Sequence, residues 1–179
     1  LREALNRLAA EGLLEFRSGK GFFSRALRPG DVFNLYETRA AIECEALRLG
    51  ISRADNAALA RLAEEFAESE ADYQDSQDPL RLLALDEAFH MALCGLSGNS
   101  EMTRTLSNLN ARIRFVRLVD LANLIKKGSN RDAHREILDS VLARDSAVAV
   151  AQLRDHIEMR RSQATETVRA AFARLYVEG

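Results

Sequence analysis

The stretch "LDEAFHMAL", residues 85–93, decides how the chain is read. Leu85, Ala88, Phe89, Ala92 and Leu93 recur at helical spacing and form an apolar face. Asp86 and His90 lie four residues apart, so one turn of that helix carries a carboxylate and an imidazole on one side. The chain holds three histidines in all. His134 in "AHREIL" and His156 in "LRDHIEMR" each stand eleven residues from Asp145. If their segments form an antiparallel helix pair turning near Asp145, the two imidazoles sit at the same height on facing helices. The Asp86–His90 helix then supplies a third side. Three imidazoles and one carboxylate inside a helical bundle make a transition-metal site. A plainer reading stands beside it: such histidines are often hydrogen-bonded core residues, and an i,i+4 Asp–His pair is often an ion pair.

Helical periodicity extends in both directions from this stretch. From Val32 onward the pattern predicts about six helices and a mainly α fold, an antiparallel all-helical bundle. The first covers about 32–50, and the second runs from a cap at Ser52, with Asp55 three later, to about 74. Asp78 and Pro79 open the third, which "SGN" at 97–99 ends, with Asn99 closing a helix end rather than touching ligand. The fourth covers about 100–126 and stops at Gly128, the fifth about 130–144, and the last starts near Asp145 or Ser146. Ahead of the bundle, "LREALNRLAAEGL" reads as a helix ended by Gly12. Leu13 to Arg17 and Phe22 to Arg25 flank "SGKG" and predict a small β-hairpin. "RPGD", residues 28–31, breaks the pattern, so the expected domains are 1–28 and 29–179. The chain opens on Leu in mid-helix, and the expectation is that its true N-terminus lies further upstream.

Apolar residues make up 47% of the chain, yet no run approaches the ~20 that span a bilayer. No signal peptide is visible, and Cys44 and Cys94 fall inside apolar helical patterns, which suits a reduced, cytoplasmic setting without membrane. The net charge of −2 is unevenly spread. Residues 1–30 carry six Lys/Arg against three acids, a surplus of three, so the remainder carries a deficit of five. A basic head on an acidic body implies two parts with different partners.

On the first bundle helix Leu35, Arg39, Ile42, Ala46 and Leu49 share one face, which points Arg39 inward. A buried guanidinium needs an anion. Glu43, at i+4, is one candidate; a small carboxylate effector, held by Arg39 and the metal, is the other. Arg112 and Arg114 remain unoriented by the pattern.

These residues resemble a known family. "LREALNRLAAEGLLEFRSGKGFF" is similar to the recognition helix and wing of a GntR-type winged helix-turn-helix. "LYETRAAIECEALRL", "LDEAFHMALCGLSGN", "AHREIL" and "LRDHIEMR" resemble successive signatures of the FCD ligand-binding domain, in the FadR/FCD subfamily of GntR transcriptional regulators. The resemblance spans essentially the whole chain. It implies a divalent metal on Asp86, His90, His134 and His156, zinc first, with nickel or manganese as alternatives. It also implies an organic-acid effector. Two departures stand out: the two helices that normally precede the recognition helix are absent, and Ala133 stands where relatives commonly carry Glu.

A recognition helix reads the major groove from its N-terminal end, where Arg2 offers a bidentate fork to guanine. Arg7 reads equally as a phosphate contact or plain surface. At the hairpin tip Ser18, Gly19 and Lys20 can approach the DNA backbone or minor groove, because Gly19 presents no side chain; a generic turn is the equal alternative. The combined expectation is a metabolite-responsive regulator, a homodimer on a palindromic operator. A metal-dependent enzyme using the same four ligands is the alternative, with only Glu87 and Glu136 at hand as acid or base. A purely structural bundle is the second rival.

Overall fold

Gly12 turns the chain out of its first helix. In a computed structural model that describes residues 1–25, 27–127 and 132–177, α1 (Arg2–Ala10) gives way to Gly12 at φ +78°. Only glycine adopts that left-handed conformation without a Cβ penalty. The side chains of Lys127, Phe172 and residues 174–177 lie outside the described set. Strand β1 (Leu14–Arg17) then pairs antiparallel with β2 (Gly21–Ser24). The register brings Gly21, expected in the tip, into the second strand opposite Arg17, and leaves residues 18–20 as the loop. Phe16 and Phe22 pair across the strands, with ring centroids 5.0 Å apart.

The break at residues 28–31 is a helix start. Pro29 opens α2 (Pro29–Arg53), where its missing N–H costs nothing, and Asp31 Oδ2 accepts from Arg28 N at 3.2 Å. The expected cap at Ser52 is wrong. Buried Ile51 carries α2 on to Arg53, whose guanidinium donates to Ser97 O at 2.7 Å. Asp55 is the actual cap of α3 (Asn56–Asp75), accepting from Ala58 N at 2.7 Å. Asp78 and Pro79 open α4 (Pro79–Gly95) as expected, with Asp78 Oδ1 accepting from Leu80 N at 2.9 Å. Asn99 acts as a cap, accepting from Glu101 N at 3.0 Å at the start of α5 (Ser100–Lys127). The expected stop at Gly128 and start at 130 lie outside the described residues. Then come α6 (Ala133–Leu142) and α7 (Ser146–Val177), which complete six bundle helices among the described residues.

Within the bundle α7 lies along α2 and α6, and α5 lies against α4 and α2. The main core joins residues such as Leu47, Leu93, Ile113, Leu138 and Leu153. Each such side chain contributes roughly 1.5–3 kcal/mol of burial. Gly50 lets α2 approach α4: a Cβ there would stand 2.6 Å from Leu96 Cβ. The α6–α7 turn is fastened to the α2–α3 corner, where the Arg144 guanidinium donates to Ile51 O at 2.9 Å, Ala54 O at 2.9 Å and Asn56 Oδ1 at 3.0 Å. That anchor sets the height at which His134 and His156 face the other helices. Cys44 and Cys94 are buried free thiols. Among the described residues no helix is long and apolar enough to cross a membrane.

Candidate metal centre

The four polar residues picked out by spacing converge in the middle of the bundle. Asp86 and His90 come from α4, His134 from the first turn of α6, and His156 from α7; all four are buried. One ligand atom from each lies within 4.8 Å of all the others. The His134 and His156 rings are 5.0 Å apart between centroids, and His90 lies 5.4 Å from each. The facing-helix geometry inferred from the two eleven-residue intervals is the one observed.

Asp86 and His90 are each held by a neighbour outside the four. Arg117, from α5, ion-pairs with Asp86 Oδ2 and donates to Asn110 Oδ1 at 3.0 Å. The other oxygen, Asp86 Oδ1, faces His134 Nε2 at 3.3 Å and accepts from the Tyr73 hydroxyl at 3.4 Å. Glu43 Oε2 stands 2.5 Å from His90 Nδ1, which leaves Nε2 of that ring directed away from the carboxylate. The second oxygen of Glu43 pairs with Arg39. A carboxylate that holds the far nitrogen of an imidazole fixes both its tautomer and its orientation.

Electrostatics follow from burial and pairing. Burial opposes ionisation of Glu43, but Arg39 and His90 outweigh it and hold the carboxyl at about 2. Burial likewise opposes ionisation of Asp86, yet Arg117 and the neighbouring imidazoles hold it well below the usual carboxylate range. Burial drives His134 down to about 4, and drives His156 well below its ordinary value, with His134 and His90 adding to the effect. The centre therefore presents ionised carboxylates beside neutral rings at His134 and His156, the forms that bind metal.

The residues fit a divalent ion. His90 Nε2, His134 Nε2 and both nitrogens of His156 are buried without a hydrogen-bond partner. Orphaned buried polar atoms are costly unless something satisfies them. Three imidazoles and one carboxylate suit a late first-row metal better than magnesium or calcium.

Arg39 points inward as expected, but the buried seam of α2 is rotated from the predicted stripe. Leu35, Tyr36, Arg39, Glu43 and Leu47 are buried, whereas Ile42 and Leu49 are half-buried. Arg39 is paired with Glu43 and keeps Nη2 buried without a partner. Arg112 and Arg114 lie away from the centre: Arg112 packs beside Gly12, and Arg114 pairs with Glu87. Beside Arg39 the centre holds Arg117 and Arg160, which sequence reasoning missed. Arg160 follows His156 by four residues, a readable signal; Arg117 had only its phase with Ile113 on α5 to mark it. The bridging role of Glu43 was also missed, though it follows Arg39 at i+4. Glu136, a candidate acid or base of the enzyme reading, is exposed. Arg2, Ser18, Gly19 and Lys20 are all exposed on the head.

The comparisons with known proteins agree with this architecture. The model of the FCD domain matches residues 34–159. The chain is 36% identical over 176 residues to the Nta operon transcriptional regulator of Aminobacter aminovorans, covering 98% of this chain and 81% of that protein. It is 30% identical to the HTH-type transcriptional repressor GlaR of Escherichia coli K12, covering 88% of this chain and 74% of that protein. A solved GntR-family regulator from Pseudomonas syringae pv. tomato superposes with a TM-score of 0.63 at 26% identity, over 94% of this chain and 70% of that one. The helical body is thus an FCD domain. The chain belongs to the GntR family of transcriptional regulators, in its FCD branch, which sets aside the enzyme reading.

Proposed function

We propose that the chain is a metabolite-responsive regulator in which Asp86, His90, His134 and His156 hold one divalent metal. Zinc is the first choice, with nickel or manganese as alternatives. A small organic acid binds beside the ion and engages Arg39 through its free Nη2. Residues 1–28 read DNA, with Arg2 at base edges and Ser18, Gly19 and Lys20 at the backbone. Residues 29–179 sense the ligand and dimerise, so a two-fold protein meets a palindromic operator in the cytoplasm.

The observation that carries this reading is the close set of four buried donors in which each imidazole keeps at least one nitrogen without a hydrogen-bond partner. Protein purified without chelator is expected to contain about one ion per chain by elemental analysis. His134→Ala is expected to lose it. A His134→Ala protein that retains as much metal as wild type overturns the assignment.

A further inference from the structure

Two cavities meet at Asp120. The inner one, of about 10 Å³, is walled by Asp86 and His156 of the centre and by Arg39, Arg117 and Arg160. The outer one, of about 680 Å³, is a groove between α5 and α7 that includes Asn123, Gln163 and Thr167. Asp120 lines both. Two side-chain links cross the boundary. Thr167 Oγ1 donates to Asp120 Oδ1 at 2.7 Å, and Arg160 Nη1 donates to Gln163 Oε1 at 3.2 Å.

The three arginines of the inner cavity are not equivalent. Arg39 pairs with Glu43 and Arg117 with Asp86. Arg160 is buried, yet its partner is the neutral amide of Gln163, and among the described residues no carboxylate lies within ion-pair distance of it. A guanidinium binds a carboxylate more strongly than an amide. Arg160 is therefore the cation that gains by exchanging its partner, and the partner it would release faces the groove.

We propose that the α5–α7 groove is the entrance to the buried centre, that the Thr167–Asp120 link bolts it, and that Arg160 receives the carboxylate of an incoming small acid. The inference rests on the metal-and-acid reading above and deepens it. The inner cavity is too small for an acid as it stands, so entry must part these links. Asp120 and Glu166 are the charged residues of the described groove walls, and Arg169, the cation beside them, pairs with Glu166 at 3.8 Å, so the remainder of the acid is uncharged. The ligand class is a monocarboxylate rather than a dicarboxylate.

Zinc uptake by chelator-stripped protein, followed by stopped-flow fluorescence with a zinc indicator, tests the entrance. Thr167→Val removes one hydrogen bond worth about 1 kcal/mol, so uptake should quicken about fivefold at unchanged final occupancy. Ala171→Trp, at an exposed groove position, should slow it. Normal occupancy with wild-type rates in both variants overturns the entrance, whereas no zinc in wild type overturns the metal reading itself. Calorimetry on zinc-loaded protein tests the receiver, with propionate and malonate as probes. Propionate should bind more tightly than malonate, and Arg160→Gln should weaken it about tenfold. Gln163→Leu, which frees Arg160 without removing it, should strengthen propionate binding. Propionate affinity unchanged in both variants overturns the role of Arg160, and tighter binding of malonate overturns the ligand class.

Discussion

The hairpin head and the Asp–His centre both gather charge, but under opposite constraints. On the head, Arg7 pairs with Glu11 at 3.7 Å and Arg17 with Glu15 at 3.3 Å, all with side chains largely in water, and α1 buries no residue. Such pairs are worth about 0–1 kcal/mol each. In the centre, Arg39, Glu43, Asp86 and Arg117 are all buried, and each charge depends on a named partner. Losing one partner of a buried pair strands the other. Substitutions on the head should therefore cost little folding stability, whereas those in the centre are tied to the stability of the bundle.

The largest expected effect tests that difference directly. Asp86→Ala leaves the Arg117 guanidinium buried and without its carboxylate, and should destabilise metal-free protein by about 3–5 kcal/mol in urea unfolding. A loss below about 1 kcal/mol would mean that the centre tolerates change as the head does, and the contrast would fail.

Metal removal comes next. An ion bound only by the folded state stabilises it by about 2.7 kcal/mol at a free concentration one hundred times its Kd. For a chain of this size each kcal/mol moves the melting temperature by about 2–4 °C. Adding chelator to wild type should therefore lower the melting temperature by several degrees, and should do nothing to His134→Ala. An equal shift in both proteins would trace the stabilisation to ions bound elsewhere.

The sequence made the centre legible where geometry was local or symmetric about a turn. Asp86 and His90 share a helix turn, and the equal intervals from Asp145 place His134 opposite His156 however the rest packs. Asp78, Pro79 and Gly12 were readable because helix ends have short-range chemistry. Ser52 misled because its hydroxyl suits a cap, while the burial of Ile51, a tertiary effect, carried the helix past it. Arg117 escaped for a similar reason. Its partner Asp86 is 31 residues away on another helix, and no pattern within α5 distinguishes a guanidinium facing the centre from Arg114, which faces water.

Smaller effects belong to the head. Arg2→Ala should weaken specific operator binding by about 1–3 kcal/mol and relax base choice at one position per half-site. Arg2 is exposed, so its unfolding free energy should move by less than about 0.5 kcal/mol. Operator titrations and urea unfolding on the same preparation separate the two quantities. A matching loss in both would make Arg2 a structural residue and erase the distinction between head and centre.

The smallest effect concerns Lys20, at the exposed hairpin tip beside Gly19, which adopts φ +73°. That conformation shapes the tip, and the absence of a side chain at Gly19 lets Lys20 come close to a phosphate. A lysine in that role is a point charge that releases a counterion and carries no base information. Lys20→Ala should therefore weaken specific and non-specific sites alike, and reduce the slope of log K against log salt by about 1 for each head in contact. Bundle stability should not change, because Ser18, Gly19 and Lys20 are all exposed. Loss of discrimination between operator and random DNA, at constant slope, would instead make Lys20 a base reader, and the wing would then share the work assigned to Arg2.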